Sequence, residues 1–84
     1  MYNIDITEKA LKFLKKLPKE DAEMILSKLY SIRINPFYFV KRLEGKKLWR
    51  LRINDYRAVM DVIISSNKII VLRIGHRKNV YDRL

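Results

Sequence analysis

Apolar and charged residues alternate on both sides of Asn54-Asp55, and this pattern predicts a β-hairpin with a two-residue turn. In that register Arg52 faces Arg57, and one side of the hairpin is uncharged. The uncharged side comprises Trp49, Leu51, Ile53, Tyr56, Ala58, Met60, Val62 and Ile64. The other side carries Arg50, Arg52 and Arg57. Because like charges directly opposite one another destabilise a sheet, the arginines indicate a binding site for a polyanion, with phosphate as the first candidate.

The chain before the hairpin has the periodicity of one strand followed by two helices. Residues 1–6 alternate polar and apolar positions, which is typical of a half-buried strand. Apolar residues at helical spacing then predict two amphipathic helices, the first ended by Pro18 and the second by Asn35-Pro36. We interpret Phe37 to Val40 as a packing segment, although exposed aromatic residues could also stack on bases.

Two further turns and one apolar strand complete the predicted fold. Gly45-Lys46-Lys47 forms a turn before the second strand, and residues 65–68 form another turn. Residues 69–74 are almost wholly apolar, which predicts a central strand covered on both sides, and Gly75 indicates a bulge. The order β-α-α-β-β-β is an α+β fold, in which an N-terminal strand and a helical hairpin precede an antiparallel strand meander. We expect residues 1–84 to form one domain, with the helices packed on one face of a twisted sheet.

The composition excludes several classes of chemistry. The chain has no cysteine and one histidine, and its carboxylates lack the spacing of metal ligands. We therefore expect no disulfide, no metal site and no cofactor. No glycine-rich phosphate loop occurs. Because no apolar run is long enough for a membrane helix and no signal-peptide pattern occurs, we expect a soluble, cytoplasmic protein without membrane contact.

The net charge of +10 is unevenly distributed along the chain. Residues 1–40 contribute +2, and residues 41–84 contribute +8. A basic excess concentrated in one half, and on predicted strands, is typical of a protein that binds nucleic acid or an acidic protein. The alternative is a solvated surface with no partner.

Basic strand residues combined with His76, Arg77 and Tyr81 suit one metal-free reaction, the attack of an RNA 2′-hydroxyl on its neighbouring phosphate. Histidine titrates near neutral pH, so His76 is a possible acid or base, but a lone histidine beside a strand end is more often a hydrogen-bonded surface residue. Strand alternation places His76 and Arg77 on opposite faces unless Gly75 forms a bulge, and we favour Arg77. The further lysines expected to contact RNA are Lys46, Lys47 and Lys78.

Several blocks of the sequence resemble the RelE/ParE toxin superfamily. They are Leu43-Glu44-Gly45, the hairpin from Trp49 to Val59, Ile74-Gly75-His76-Arg77 and Val80-Tyr81. The RelE branch fits best, and this resemblance implies a ribosome-dependent mRNA endonuclease that cleaves codons in the ribosomal A site. It also implies a cognate antitoxin that neutralises the toxin, and binding to operator DNA only through the toxin–antitoxin complex.

The resemblance also implies roles for single residues. Arg50 and Arg52 lie where the RelE branch has basic residues on the second strand, the first often a lysine that activates the 2′-hydroxyl. Arginine stays protonated in proteins, so Arg50 is a poor proton acceptor and the general base stays open. Arg57 matches a phosphate-stabilising arginine, and Arg77 matches a basic residue that holds the substrate. Tyr81 matches a tyrosine that stacks on the mRNA base or assists proton transfer, although it could instead pack against the first helix.

Two other functions fit the same pattern. One is a protein-binding toxin that inhibits DNA gyrase, as in the ParE branch, and the other is a nucleic-acid-binding module without catalysis. In each case we expect an acidic, partly disordered partner to cover the basic surface and to fold as it binds.

Overall fold

The computed structural model describes residues 1–77, and its elements follow the predicted order with one addition. The added element is a two-residue strand, β2, between the helices and the hairpin. The strands and helices are β1 (Asn3–Ile6), α1 (Glu8–Lys15), α2 (Lys19–Ser31), β2 (Lys41–Arg42), β3 (Trp49–Ile53), β4 (Tyr56–Ile63) and β5 (Lys68–His76). Single 3₁₀ turns occupy Pro36–Tyr38 and Ile64–Ser66.

The five strands form one mixed sheet in the order β1-β5-β4-β3-β2. β2 to β5 are antiparallel neighbours, as predicted for the meander, whereas β1 pairs parallel to β5. β5 therefore occupies the predicted central position. The predicted cover on both faces is not observed within residues 1–77, where Ile70 and Leu72 are only half-buried. The parallel pair is possible because the two helices carry the chain away from the sheet before the meander begins.

Helix α1 begins where the sequence places a capping residue. The Thr7 side chain accepts a hydrogen bond from the Ala10 amide at 3.3 Å. The same hydroxyl donates to the Leu72 carbonyl at 2.9 Å, and the Thr7 amide donates to the Val71 carbonyl at 3.1 Å. Thr7 therefore attaches the start of α1 to the centre of β5.

Both helices pack on one face of the sheet and enclose the core. Ala10 and Leu14 of α1 and Ile25 and Leu29 of α2 are buried in a single apolar cluster with strand residues. The strand residues of that cluster are Leu51, Ile53, Tyr56, Ala58, Met60, Ile69, Val71 and Ile74. This arrangement confirms the predicted α+β architecture. Within residues 1–77, no helix packs on the second face of the sheet. No helix among residues 1–77 is long and apolar enough to cross a membrane.

The hairpin has the predicted register. Arg52 pairs with Arg57, Ile53 with Tyr56 and Trp49 with Met60. Asn54 adopts φ +51°, which is the left-handed conformation that asparagine tolerates in tight turns. The prediction that Ile64 belongs to the apolar side of the hairpin was wrong. Ile64 lies in the second 3₁₀ turn, after the end of β4, and is 65% exposed.

The segment from Phe37 to Val40 is only partly a packing segment. Val40 is buried, and the Phe37 ring meets the Trp49 ring edge-on at 5.0 Å. However, Tyr38 is 79% exposed and Phe39 is 39% exposed. The prediction was wrong for these two residues, because the 3₁₀ turn started by Pro36 rotates them away from the core. The turn at Gly45 is confirmed by its φ of +76°, but it connects β2 to β3.

The bulge in β5 lies three residues before the predicted one. Gly75 stays in register opposite Arg57, whereas Leu72 is the extra residue opposite the Val59–Met60 step. The carbonyls of Val71 and Leu72 accept hydrogen bonds from Thr7. The hydrogen-bond ladder between β4 and β5 is therefore interrupted beside the point where β1 ends and α1 begins. The sequence pattern did not reveal this tertiary contact.

Candidate functional site

Arg50, Arg52 and Arg57 lie together on the face of the sheet opposite α1 and α2. Alternation along β3 places Arg50 and Arg52 on this face, and cross-strand pairing places Arg57 directly opposite Arg52. Arg50 and Arg52 are exposed, and Arg57 is half-buried. The side chains therefore converge, as the sequence pattern predicted.

The three arginines line a depression of about 240 Å³. Phe39 and Lys41 complete its wall. Neither was among the predicted site residues, although base stacking was left open for the aromatic residues of the Phe37–Val40 segment. Lys41 reaches this face because β2 pairs with β3 and sets Lys41 opposite Arg50. A strand of two residues is too short to show periodicity in the sequence. The sequence indicated a shared face for Phe39 and Lys41 only through their positions two residues apart.

The charge of the depression is not neutralised within residues 1–77. The ion pairs of the described chain join Lys19 to Glu23 at 3.8 Å and Lys68 to Asp5 at 3.4 Å, both outside this site. Four cationic side chains thus share one small surface, and none of them forms an ion pair with a carboxylate of the described residues. Such a surface attracts anions, most strongly at low ionic strength.

Arg57 is held in place by neutral acceptors. Its Nη1 donates to the carbonyls of Asn54 and Tyr56, at 2.7 and 2.8 Å. Both acceptors are neutral carbonyls, so these hydrogen bonds fix the guanidinium at the hairpin turn without placing a carboxylate beside it. Gly75 lies opposite Arg57 on β5, so the residue directly across from the arginine has no side chain.

A second groove adjoins the depression and shares Arg52 with it. This groove has a volume of about 400 Å³ and lies between α2 and the end of β3. Its lining comprises Met24, Ser27, Lys28, Ser31, Arg52, Ile53 and Asn54. The Lys28 ammonium also lies 4.9 Å from the centre of the Phe39 ring, which lines the depression. The two concavities are therefore connected through Arg52 and through the Lys28–Phe39 contact.

His76 lies on the opposite face from the arginines. It pairs with Tyr56, and the two rings are tilted by 34° with centres 5.0 Å apart. The Phe13 ring of α1 meets His76 edge-on at 5.9 Å. Since Gly75 forms no bulge, strand alternation continues to the end of β5, and His76 is directed toward the helices.

The remaining predicted residues lie outside the depression or outside the described chain. The Arg77 amide donates to the Asp55 carbonyl at 3.0 Å, which places Arg77 beside the hairpin turn. Lys46 and Lys47 are exposed in the β2–β3 turn, where the Arg42 Nε donates to the Lys46 carbonyl at 3.2 Å. Lys78 and Tyr81 lie outside the described residues.

Tyr56 links the sheet to α2 through a hydrogen bond on the helical face. Its hydroxyl donates to the Asp21 carboxylate at 2.8 Å. This bond, with burial and the charges of Asp21 and Asp55, raises the pKa of Tyr56 above its ordinary value of 10.0.

Among residues 1–77, no group of three or more His, Asp or Glu side chains is placed to hold a metal ion.

The raised pKa of Tyr56 predicts a specific pH dependence of stability. Because folding favours the protonated phenol, its stabilising contribution is present below pH 10 and is lost as the pH rises through the higher pKa of the folded state. Urea unfolding of the wild type and of Tyr56→Phe, followed by circular dichroism from pH 7 to pH 11, tests this. We expect the wild type to be the more stable at pH 7 and the difference to shrink above pH 10. A difference that stays constant would contradict it.

Comparison with known sequences identifies one family over nearly the whole chain. Residues 4–81 match the family model described as the ParE toxin of the type II toxin–antitoxin system parDE. The chain is 28% identical to a protein of Methanocaldococcus jannaschii named as toxin RelE1, over 95% of this chain and 94% of that protein.

Solved structures of RelE toxins share the fold. The RelE–RelB complex of Pyrococcus horikoshii contains a chain with a TM-score of 0.79 and 28% identity, covering 94% of this chain and 98% of that chain. The RelBE toxin–antitoxin complex of Escherichia coli gives a TM-score of 0.77 and 26% identity, covering 90% and 96%. The RelBE2 complex of Mycobacterium tuberculosis has a TM-score of 0.81 at 23% identity, covering 90% and 98%, and shows the shared fold alone.

Proposed function

The chain belongs to the RelE/ParE superfamily of type II toxins, and from this premise we propose that it is a ribosome-dependent endoribonuclease that cleaves mRNA in the A site. The observation that carries the proposal is the depression in which Lys41, Arg50, Arg52 and Arg57 meet without a carboxylate partner among residues 1–77. A scissile phosphate is the anion whose charge such a site would match. Inhibition of translation follows from loss of the message.

The proposed reaction needs charge stabilisation more than proton transfer. The 2′-oxygen loses its proton and attacks the adjacent phosphorus, and a 2′,3′-cyclic phosphate forms. The bond to the 5′-oxygen of the next nucleotide breaks, and this oxygen takes a proton from water to leave as a 5′-hydroxyl. Negative charge accumulates on the phosphoryl oxygens during this step. A guanidinium already fixed by its own hairpin, as Arg57 is, stabilises that charge without reorganising.

The other proposed roles follow the family pattern on this chain's residues. Arg50 and Arg52 hold the phosphate and its neighbour, and Arg77 binds the flanking message. Tyr81 stacks on a base or assists proton transfer. Lys46, Lys47 and Lys78 contact RNA. The proton of the 2′-hydroxyl passes to water, because neither arginine is a good acceptor and His76 lies on the other face. No metal or other cofactor takes part in this proposal.

The proposal includes a neutralising partner. RelE chains with this fold occur in complexes named as RelE–RelB and RelBE. We infer that a cognate antitoxin rich in carboxylates covers the basic face and folds as it binds, since a chain of net charge +10 favours such a partner. Operator DNA would be bound only by the toxin–antitoxin complex. A cytoplasmic location belongs to the same proposal, because ribosomes and mRNA meet there.

Cleavage of message on programmed ribosomes tests the proposal. Purified chain is incubated with end-labelled mRNA, either free or held by ribosomes with an open A site. We expect cuts within the A-site codon on ribosomes and intact free mRNA. Intact message in both samples, with chain shown by circular dichroism to be folded, would refute the assignment.

A gyrase inhibitor is the second candidate, because the matching family model is that of ParE. In that case the arginines would bind an acidic protein surface. A supercoiling assay with purified gyrase separates the two functions. We expect supercoiling to proceed unchanged at toxin concentrations that cleave ribosome-bound message. A third possibility, nucleic-acid binding without turnover, would give salt-sensitive RNA binding and no cuts.

A further inference from the structure

Phe39 is the aromatic residue that lines the cationic depression. Its neighbours in that lining are Lys41, Arg50, Arg52 and Arg57, all of which carry positive charge. The ring is 39% exposed, so it presents apolar surface to whatever occupies the depression. Phe39 is not part of the core cluster, so this apolar surface lies outside the packed interior, beside the cations of the depression.

Phe39 also stands between the depression and the α2 groove. The Lys28 ammonium lies 4.9 Å from the centre of the Phe39 ring and lines the groove. Arg52 lines both concavities. The Tyr38 ring meets Phe39 edge-on at 5.1 Å, which supports the orientation of the ring. An aromatic ring is thus flanked by cations on two sides, the alternation found where single-stranded nucleic acid binds.

We propose that Phe39 is a stacking platform for one base of the bound RNA, with one phosphate in the depression and the next at Lys28 and Arg52. This inference rests on the proposed function, because it places a nucleotide that flanks the scissile phosphate. Every base offers a flat face, and a purine covers more of the ring than a pyrimidine does. The platform therefore favours a purine at this position.

A nucleotide fits the depression better than an apolar protein side chain. The wall is cationic apart from Phe39, and an apolar side chain would remove water from guanidinium groups without replacing its hydrogen bonds. A nucleotide supplies phosphate oxygens to the guanidinium groups and a base to the ring. Among the described residues, four cations and one aromatic residue line the depression. They match the phosphate and the base of a nucleotide.

The chain provides a matched control for testing the platform. Phe37 is 37% exposed, almost the same as Phe39, but it contacts Trp49 outside the depression. Phe39→Leu and Phe37→Leu therefore remove the same ring from surfaces of equal exposure. Phe39→Trp keeps an aromatic surface and serves as the conservative replacement.

Binding of a short uncleavable oligonucleotide gives the readout. The probe is fluorescein-labelled tetra-adenylate with 2′-O-methyl riboses, and its affinity for the full chain is measured by anisotropy at low ionic strength. We expect Phe39→Leu to weaken binding about 10-fold, since base stacking on one aromatic ring carries an effect of that order. Phe37→Leu and Phe39→Trp should bind within about twofold of the wild type. The wild type should bind tetra-uridylate more weakly than tetra-adenylate. Phe39→Leu should bind the two oligonucleotides with equal affinity.

Two comparisons separate failure of this inference from failure of the proposed function. If Phe39→Leu binds tetra-adenylate like the wild type while Arg57→Ala loses affinity, the platform is refuted and the phosphate site remains. If both variants bind like the wild type, the platform and the phosphate site in the depression are both refuted, whereas cleavage of message on programmed ribosomes decides the proposed function separately. A base-free backbone of the same length is the last probe. If Phe39→Leu weakened binding of the base-free backbone as much as binding of tetra-adenylate, the ring would not act by stacking and the inference would be overturned.

Discussion

Arg57→Ala is expected to lower the rate of cleavage of ribosome-bound mRNA about 100-fold, with a smaller loss of binding to the message. The reason is the position of the guanidinium, which two carbonyls of its own hairpin hold at 2.7 and 2.8 Å. A donor fixed before the reaction stabilises the charge that appears on the phosphate in the transition state. Single-turnover cleavage on programmed ribosomes gives the rate, and the concentration dependence gives the affinity.

Two control variants make the result specific to Arg57. Arg57→Lys keeps the positive charge but cannot make both backbone hydrogen bonds and contact the phosphate, so we expect an intermediate loss of about 10-fold. Arg33→Ala removes a guanidinium that contacts Tyr30 instead, and it should cleave like the wild type. If Arg57→Ala retained wild-type cleavage, or if Arg33→Ala lost as much, the proposed role of Arg57 would be wrong.

Leu29→Ala is expected to give a large loss of stability. Leu29 is fully buried in the cluster that joins the helices to the sheet. Removing its three terminal carbon atoms leaves a cavity, and such changes cost about 2–5 kcal/mol of unfolding free energy. In a chain of this size that loss lowers the melting temperature by roughly 10 °C or more. Thermal and urea unfolding followed by circular dichroism measure it.

Leu11→Ala is the matched control for this prediction. Leu11 is also a helical leucine, but it is 39% exposed, so its truncation should cost less than about 1 kcal/mol. At temperatures where Leu29→Ala stays folded, its cleavage rate per molecule should equal that of the wild type, since the arginines lie on the other face of the sheet. Equal destabilisation by the two substitutions would contradict the assigned position of Leu29 in the core.

The hairpin could be predicted from sequence because its determinants are local. A turn at Asn54-Asp55 and strict alternation on both sides leave one register that buries the apolar residues. That register sets Arg52 beside Arg57, and the convergence of the arginines follows from it. The helices were predictable for a similar reason, since their apolar periodicity and end signals lie within the same segments.

Other features depend on contacts between residues far apart in the chain. Phe39 and Lys41 join the depression only because β2 pairs with β3, and a two-residue strand has no periodicity of its own. The bulge at Leu72 depends on Thr7, whose hydroxyl donates a hydrogen bond to the Leu72 carbonyl although the two residues are 65 positions apart in the chain. Gly75 alone could not indicate this position.

The sequence by itself determined that this chain forms one apolar layer and one arginine-rich layer, because alternation within each strand decides which side chains share a face. The tertiary structure decided what surrounds the arginines. Pairing of β2 added Lys41 and Phe39 to their site, and the regular strand through Gly75 directed His76 toward the helices. The physical reason is that periodicity operates within a segment, whereas the composition of a site depends on which segments become neighbours.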